Sequence, residues 1–182
     1  MSRQQQATNM NMQAFAEAGL PLIQTTPLQN LERIALESIG LKPDFMVNWQ
    51  ATAELRPGNT GQTDIWLHLT ANTAVPLTCQ RCMGAVQTPL QVDQWYRFVA
   101  SEDIALDEDD ASDEDLLVLT PQFDLEQVLE DELLMALPLV PMHDECPITL
   151  IFSAGTIDAP AEVPDKPHPF AALAQLKQKP QN

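Results

Sequence analysis

The sequence has few aromatic residues, few glycines and little positive charge. Aromatic side chains make up 5% of the 182 residues, so aliphatic side chains must supply most of a hydrophobic core. The six glycines form no glycine-rich phosphate loop, which argues against nucleotide hydrolysis. A chain of this length can still bury enough apolar surface to fold as one domain without disulfide bonds.

Long hydrophobic runs and a rich set of cysteines are also missing. Charge or proline interrupts each apolar stretch well short of the ~20 residues that a membrane helix needs. The start, MSRQQQATNM, lacks the apolar core of a secretory signal. We therefore expect a cytoplasmic protein with no membrane partner. Three cysteines are an odd number, which argues against a disulfide framework and for reduced thiols, metal ligation or packing.

The net charge of −17 is unevenly distributed along the chain. No lysine or arginine lies between Arg97 and Lys166, and most of the acidic residues fall in that interval. Such a region repels a phosphate backbone and attracts basic partners. The alternative is a solvated acidic loop that only keeps the protein in solution.

The hydrophobic pattern predicts an α+β fold with a mostly antiparallel, curled sheet flanked by two main helices. Thr26, Pro27 and Gln29 have the order of an N-cap, an N1 proline and a capping-box partner, which predicts a first helix ending at Gly40. From Phe45 the pattern alternates instead, which is typical of strands.

Several strands follow one another across short turns. Residues 45–55 and 65–69 alternate on either side of the turn sequence RPGNTG, which predicts a hairpin. Further strands are predicted over 74–78 and 88–99. We expect a flexible N-terminal arm over residues 1–20, with a weak helix over Met12 to Ala18.

The second half of the domain combines an acidic loop with the second main helix. Residues 101–115, SEDIALDEDDASDED, are too charged to bury and predict a loop. Leu116 to Leu119 predict a short strand, and Asp124 is placed to cap a helix. Glu126, Glu130 and Asp131 are expected to face away from the core. The predicted apolar stripe consists of Leu125, Val128, Leu129, Leu133, Ala136 and Leu137.

These patterns predict one α+β domain over residues 21–153. Residues 154–182 are then a linker rich in proline and alanine, followed by a short C-terminal helix.

Two residue pairs form a candidate metal site. Cys79 and Cys82 are a CxxC pair at a predicted turn, and a turn of this kind can aim two thiolates at one zinc ion. Zinc prefers four ligands in structural sites, and His143 with Cys146 would complete a Cys3His set. The alternative is that the cysteines are small buried residues and that His143 caps the preceding helix. The residues alone leave zinc open.

Other chemistry at these residues has little support. A redox CxxC needs a helix N-terminus in a thioredoxin-like βαβ unit, whereas Cys79 ends a predicted strand. Nucleophilic catalysis by Cys146 with His143 would need an oxyanion hole, and PLVPMHDECP contains no such element. Glu130, Asp131 and Glu132 cannot easily converge on one metal because successive helical side chains point ~100° apart. We interpret these three acids as a solvent-facing contact surface.

Taken together, the motifs resemble one known family. The resemblance covers about Leu28 to Lys177 and depends on the CQRC turn, the DL and EDEL of the acidic helix, ALP, PMH, and the C-terminal KPHPFA with Leu173 and Leu176. In this order and spacing they resemble the YceD family, the large ribosomal subunit RNA accumulation proteins. Some relatives carry further cysteines after the proline run, which suggests a zinc site; this sequence has Cys146 there.

The resemblance implies a non-enzymatic factor of bacterial ribosome biogenesis. It would support the synthesis, processing or stability of large-subunit ribosomal RNA, with no cofactor expected and with that RNA or its precursor as a partner. Arg56, Arg81 and Arg97 could form a small basic patch, of which Arg81 is the candidate RNA contact. Glu130, Asp131 and Glu132 would face a basic ribosomal protein. The alternative function is a zinc-dependent regulatory binding module.

Overall fold

The computed structural model describes residues 7–58 and 61–147, and these form an α+β fold with a five-stranded sheet. The strands are β1 (Leu22–Pro27), β2 (Met46–Pro57), β3 (Thr63–Thr78), β4 (Ala85–Val99) and β5 (Asp115–Val118). The helices are α1 (Met12–Ala18), α2 (Glu32–Glu37), α3 (Glu102–Glu108) and α4 (Leu125–Met135). Short 3-10 turns lie at Leu28–Asn30 and Asp109–Ala111.

The sheet is mostly antiparallel, as the sequence predicts. Its spatial order, β1-β2-β3-β4-β5, follows the order of the strands along the chain. The first four strands pair antiparallel with their neighbours, whereas β5 pairs parallel to β4 over Tyr96 to Val99. A parallel neighbour requires a crossover connection, and the acidic segment that contains α3 provides it.

The central hairpin forms where the alternating pattern predicts it. Leu55 of β2 lies opposite Ile65 of β3, on either side of the predicted turn. The strand β3 is longer than predicted, because its pairing with β4 continues without interruption from Trp66 to Thr78. The polar residues between the two predicted strands therefore do not break the ladder. Cross-strand hydrogen bonds outweigh a local gap in the hydrophobic pattern.

The predicted first helix is wrong in its beginning and its length. Thr26 and Pro27 lie in β1 rather than at a helix start, and Thr26 pairs with Val47. The Trp49 Nε1–H donates to the Thr26 hydroxyl at 3.0 Å, so this side chain contacts the sheet instead of capping a helix. The helix α2 begins only at Glu32, and its N-cap residue Leu31 makes no side-chain capping bond. Tertiary pairing has overridden a local capping pattern.

The predicted acidic loop over 101–115 is partly helical, which corrects the sequence interpretation. Ser101 caps α3 by accepting a hydrogen bond from the Ile104 backbone N–H, and Glu102 and Asp103 occupy the first turn, where acidic residues are favoured. Arg97 of β4 pairs with Glu108 at 2.9 Å and with Glu114 at 2.7 Å. The largely buried Arg97 guanidinium thus offsets part of the negative charge of this segment and allows it to adopt an ordered conformation.

The hydrophobic core lies between one face of the sheet and the helices α1, α2 and α4. Leu125, Leu129 and Leu133 of α4 are fully buried, which confirms the predicted stripe on that helix. The helix predicted over Met12 to Ala18 is present, and Met12 and Phe15 belong to the core. Among the described helices only α4 is long, so a picture of two main helices is not confirmed.

The domain boundaries at residues 21 and 153 remain predictions. Residues 7–20 include core positions, and an isolated antiparallel bridge joins Met10 to Phe123. The predicted linker and helix over 154–182 lie outside the described residues. No helix among the described residues has both the length and the apolar character needed to cross a membrane.

Candidate functional site

The CxxC pair lies in the turn between β3 and β4. The Cys79 N–H donates to the Gly84 carbonyl at 2.8 Å, and the Met83 N–H donates to the Cys79 carbonyl at 2.9 Å. Met83 has a φ of 60°, in the left-handed region, which lets the chain reverse direction within these few residues. Cys79 is fully buried and Cys82 is half-buried, so both thiols face inward from a closed turn.

The segment after α4 brings the other two ligands to this turn. The Gln80 N–H donates to the Pro141 carbonyl at 2.9 Å, which fixes the backbone of that segment against the turn. Cys146 then lies with its Sγ 3.9 Å from the Cys79 Sγ, and the His143 Nδ1 lies 3.5 Å from the Cys82 Sγ. The structure therefore brings together all four residues that the sequence offered as metal ligands.

The geometry of these four residues fits a tetrahedral metal ion. Their ligand atoms all lie within 4.8 Å of one another. In a tetrahedral zinc site with Zn–S bonds of ~2.3 Å, neighbouring sulfur atoms lie ~3.8 Å apart, close to the 3.9 Å between Cys79 and Cys146. The His143 Nε2 lies 3.0 Å from the Ala85 carbonyl, which can only accept, so Nε2 donates and Nδ1 keeps its lone pair for the metal.

The thiols differ in how readily they ionise. Burial raises the pKa of Cys79, but hydrogen bonds from the backbone N–H groups of Cys82, His143 and Arg81 outweigh burial and lower that pKa to about 5. Burial and the neighbouring Cys82 and Cys79 sulfur atoms raise the pKa of Cys146 to about 11. Cys79 is thus deprotonated at neutral pH and can bind a cation directly. Cys146 keeps its proton at neutral pH and would lose it when a metal ion binds.

Zinc at this site would have a structural role. Three thiolates and one imidazole complete a tetrahedron and leave no open position for water or substrate, unlike a catalytic zinc site. Cys79, Cys82, His143 and Cys146 would hold the ion and tie the turn between β3 and β4 to the segment after α4. Both the ligand types and the distances between the ligand atoms therefore fit zinc.

The acidic row on α4 is not the solvent-facing surface that the sequence predicts. Glu130 is buried, and its carboxylate accepts hydrogen bonds from the Arg33 backbone N–H at 2.6 Å and from the Arg33 Nε at 3.0 Å. The Ile34 N–H also donates to it, at 3.3 Å. Because the first turn of α2 has no local cap, Glu130 satisfies those free N–H groups from another helix.

The neighbouring acids point in different directions, as successive helical residues must. Asp131 is half-exposed and pairs with Arg33 Nη1. Glu132 is half-buried beside Tyr96. Burial of the Tyr96 hydroxyl is the main cause that raises its pKa well above the usual value, and the nearby Glu132 carboxylate raises it further. The three acids therefore do not form one shared contact surface. Their role in partner binding stays a prediction.

Arg81, the candidate RNA contact, is exposed at the CxxC turn. Its guanidinium lies near the Met142 sulfur, at 4.0 Å, on the outside of the candidate metal site. Arg97 lies elsewhere, within a group of carboxylates, and its side chain is only 14% exposed. The structure thus gives Arg97 a structural partner set and leaves Arg81 accessible.

Sequence reasoning missed Arg33 and the Ala85 carbonyl. A single arginine in an early helix carries no pattern that pairs it with an acid about a hundred positions later. A backbone carbonyl has no sequence signature at all. The missing N-cap at the start of α2 could have indicated that a distant acid such as Glu130 caps it. The capping pattern at Thr26 instead placed the predicted helix start too early.

Comparisons with known proteins agree with the resemblance. The family described as Large ribosomal RNA subunit accumulation protein YceD matches residues 67–177, which include the CxxC turn and α4. A relative with that description from Haemophilus influenzae is 38% identical over 107 residues, which are 58% of this chain and 61% of the relative. The match thus spans less than two thirds of that relative. No solved structure matches the chain. The chain belongs to the YceD family.

Proposed function

We propose that this chain is a non-enzymatic ribosome-biogenesis factor that supports the accumulation of large-subunit ribosomal RNA, through the synthesis, processing or stability of that RNA. The observation that carries the proposal is the family match over residues 67–177. The matched region includes β4, α4 and all four ligands of the candidate metal site. Ribosome assembly would place the site of action in the cytoplasm.

The described geometry supports a binding role rather than catalysis. The three cysteines form a closed Cys3His set with His143, which would hold a metal ion without an open position for chemistry. Glu130, the most buried acid of α4, is engaged by Arg33 and by backbone N–H groups. These groups stabilise structure and are not arranged around a substrate.

The charge supports contact with a basic protein in addition to RNA. A net charge of −17 repels a phosphate backbone over most of the surface, so any direct RNA contact would be confined to a small area such as that around Arg81. The acids of α3 and the following turn are mostly exposed, unlike Glu130. We propose that they face a basic ribosomal protein, and that the factor bridges this protein and the RNA.

Zinc enters the proposal as a structural cofactor. The Cys3His set supports it because ligand types and distances suit the ion. The other function predicted from the sequence, a zinc-dependent regulatory module, is not favoured by the family description. The metal would then hold the fold in its binding-competent form.

Depletion of the protein tests this function directly. In rapidly growing cells of the source organism, depletion should lower the ratio of large-subunit to small-subunit ribosomal RNA, and the wild-type gene supplied in trans should restore the ratio. Precursor RNA is measured in the same samples to separate processing from stability. A normal ratio together with normal precursor levels after depletion contradicts the proposal.

A further inference from the structure

The sheet carries an aromatic platform of two tryptophans, in edge-to-face contact, on the face opposite the core. Trp66 of β3 and Trp95 of β4 alternate with the buried residues Leu67 and Tyr96, so they point away from the core. Their ring centroids are 6.5 Å apart at an interplanar angle of 64°. Two of the three tryptophans in a chain poor in aromatics thus lie side by side on a half-exposed surface.

Two planar side chains, Arg56 and His68, already lie against this platform. The Arg56 guanidinium lies 4.3 Å from the centroid of each tryptophan ring. His68 stacks on Trp95 with a centroid distance of 4.3 Å and an interplanar angle of 3°. The electron-rich faces of the indole rings attract the positively charged guanidinium of Arg56. The Arg56 contacts show that the two rings are spaced to accept a guanidinium.

A groove beside the platform is lined with acids. Trp66 and Trp95 line it together with Arg56, Gln94, Asp113 and Glu114. An adjoining groove shares Trp66, Asp113 and Glu114, and adds Asp64, Arg97 and Glu108. The two grooves therefore form one continuous path from the tryptophans to the segment that follows α3.

The charge of this path is negative. Four carboxylates line it, those of Asp64, Glu108, Asp113 and Glu114, against the two guanidinium groups of Arg56 and Arg97. Arg97 is already paired with Glu108 and Glu114, and lies 3.9 Å from Asp64. Asp113 is exposed and has no ion-pair partner within residues 7–58 and 61–147. The path would repel a phosphate backbone and attract a cation.

We propose that this groove, the tryptophan groove, binds an arginine- or lysine-rich peptide segment of a partner protein. A guanidinium or ammonium group of the peptide takes the place of the Arg56 guanidinium on the indole rings and pairs with Asp113. The inference rests on the proposed function, because it assigns a place to the protein side of the bridge. The negative lining favours a basic peptide over single-stranded RNA, although bases also stack on exposed tryptophans.

Peptide binding to the full-length protein tests the assignment. The probe is a fluorescein-labelled peptide of alternating arginine and glycine, and its affinity is measured by anisotropy at low and at physiological salt. A matched peptide with citrulline in place of arginine keeps the shape and removes the charge. The protein variants are Trp95→Leu, which removes half of the platform, and Asp113→Lys, which reverses the exposed charge. Asp44→Lys is the matched control, since it makes the same charge change at an exposed residue outside the groove.

We expect Trp95→Leu and Asp113→Lys each to weaken arginine-peptide binding by about fivefold or more. The citrulline peptide should bind far more weakly, and Asp44→Lys should change the affinity less than Asp113→Lys. Equal losses in the two lysine variants would show that only net charge matters, which overturns the proposal. Because Asp113 is exposed, that comparison stands even where Trp95→Leu fails to fold.

Two further outcomes also overturn the tryptophan groove. One is the absence of arginine-peptide binding to the wild-type protein. The other is binding of a single-stranded oligouridine probe that Trp95→Leu abolishes, which would assign the platform to RNA. These failures are distinguishable from failure of the proposed function. If depletion lowers the RNA ratio while the peptide does not bind, only the groove assignment is wrong; if the ratio is normal, the proposed function itself is wrong.

Discussion

Glu130 of α4 caps the start of α2 through Arg33. The carboxylate accepts from the Arg33 backbone N–H at 2.6 Å and from the same residue's Nε at 3.0 Å. Leu31, the local N-cap of α2, contributes no side-chain bond. One acid therefore performs the work of a helix cap and of an ion pair, and it joins two elements that are far apart in the sequence.

Glu130→Ala should destabilise the protein by about 2–3 kcal/mol, because it leaves helix N–H groups and the Arg33 guanidinium without their acceptor. The measurement is urea unfolding followed by circular dichroism. Asp131→Asn is the control, since Asp131 is half-exposed and its pair with Arg33 should contribute about 1 kcal/mol or less. Equal effects of the two substitutions would mean that the capping bonds add nothing beyond an exposed ion pair.

Leu133→Asp should unfold or aggregate the protein. Leu133 is fully buried in the apolar stripe of α4, and an unpaired carboxylate at such a position costs at least several kcal/mol. Met135→Asp places the same charge on the same helix at a residue that is 77% exposed, and it should leave the melting temperature nearly unchanged. A Leu133→Asp variant that melts with the wild-type protein would contradict the packing of α4 described above.

Protein purified without chelators or metal-affinity resin should contain zinc at about one ion per chain, because the Cys3His set completes a tetrahedron. Elemental analysis by mass spectrometry measures the content. Cys79→Ser and His143→Ala should each lower it, whereas His68→Ala, which changes a histidine outside the site, should retain it. Metal-free wild-type protein with an intact fold would instead favour the reading of these cysteines as small packed residues.

Zinc retention should also depend on pH in a defined direction. Binding must displace a proton from Cys146, whose pKa is raised to about 11, so the apparent affinity should increase as pH rises through the neutral range and fall as it drops. Cys79, with a pKa lowered to about 5, contributes a further loss only below that value. Competition with a chromophoric chelator between pH 5 and 8 measures this trend. An affinity that is constant over this range would argue against thiol ligation.

Arg97→Met should loosen the acidic segment around α3. The Arg97 side chain is 14% exposed and pairs with Glu108 and Glu114, so its removal leaves several carboxylates close together without a cation. We expect faster hydrogen exchange in residues 102–115 and a loss of about 1–3 kcal/mol of stability. Arg56→Met, whose ion pair with Glu54 is more exposed, should produce no such local change in exchange. Unaltered exchange in Arg97→Met would show that α3 is held by other contacts.

The sequence was most informative where the local pattern and the tertiary environment agree. The hairpin between β2 and β3, the Asp124 cap of α4 and its buried leucines are all present, since alternation, capping and apolar spacing reflect the same burial. The metal ligands could be paired from spacing and residue type alone. The fold predictions depended on short-range information, whereas the candidate ligand set combined two short-range pairs by residue type.

The wrong predictions share a different cause. Thr26 has the features of an N-cap but pairs in β1, and Glu130 has the features of a solvent-facing acid but is buried against α2. The helix α3 forms within an apparently disordered acidic run where Arg97 supplies a cation from the sheet. In all three cases the deciding partner lies in another element of the fold, and a single sequence without an alignment does not reveal such a partner.

The strands pair in chain order, whereas the Cys3His set joins residues 61 and 67 positions apart. During folding, the neighbouring strands β2, β3 and β4 can pair early because short loops connect them. The Cys3His set can form only after α4 and the segment that follows it have packed against the sheet. If these contacts form after the rate-limiting step, a metal bound there would stabilise the native state but not the transition state. Zinc would then mainly lower the unfolding rate and would have little effect on the folding rate.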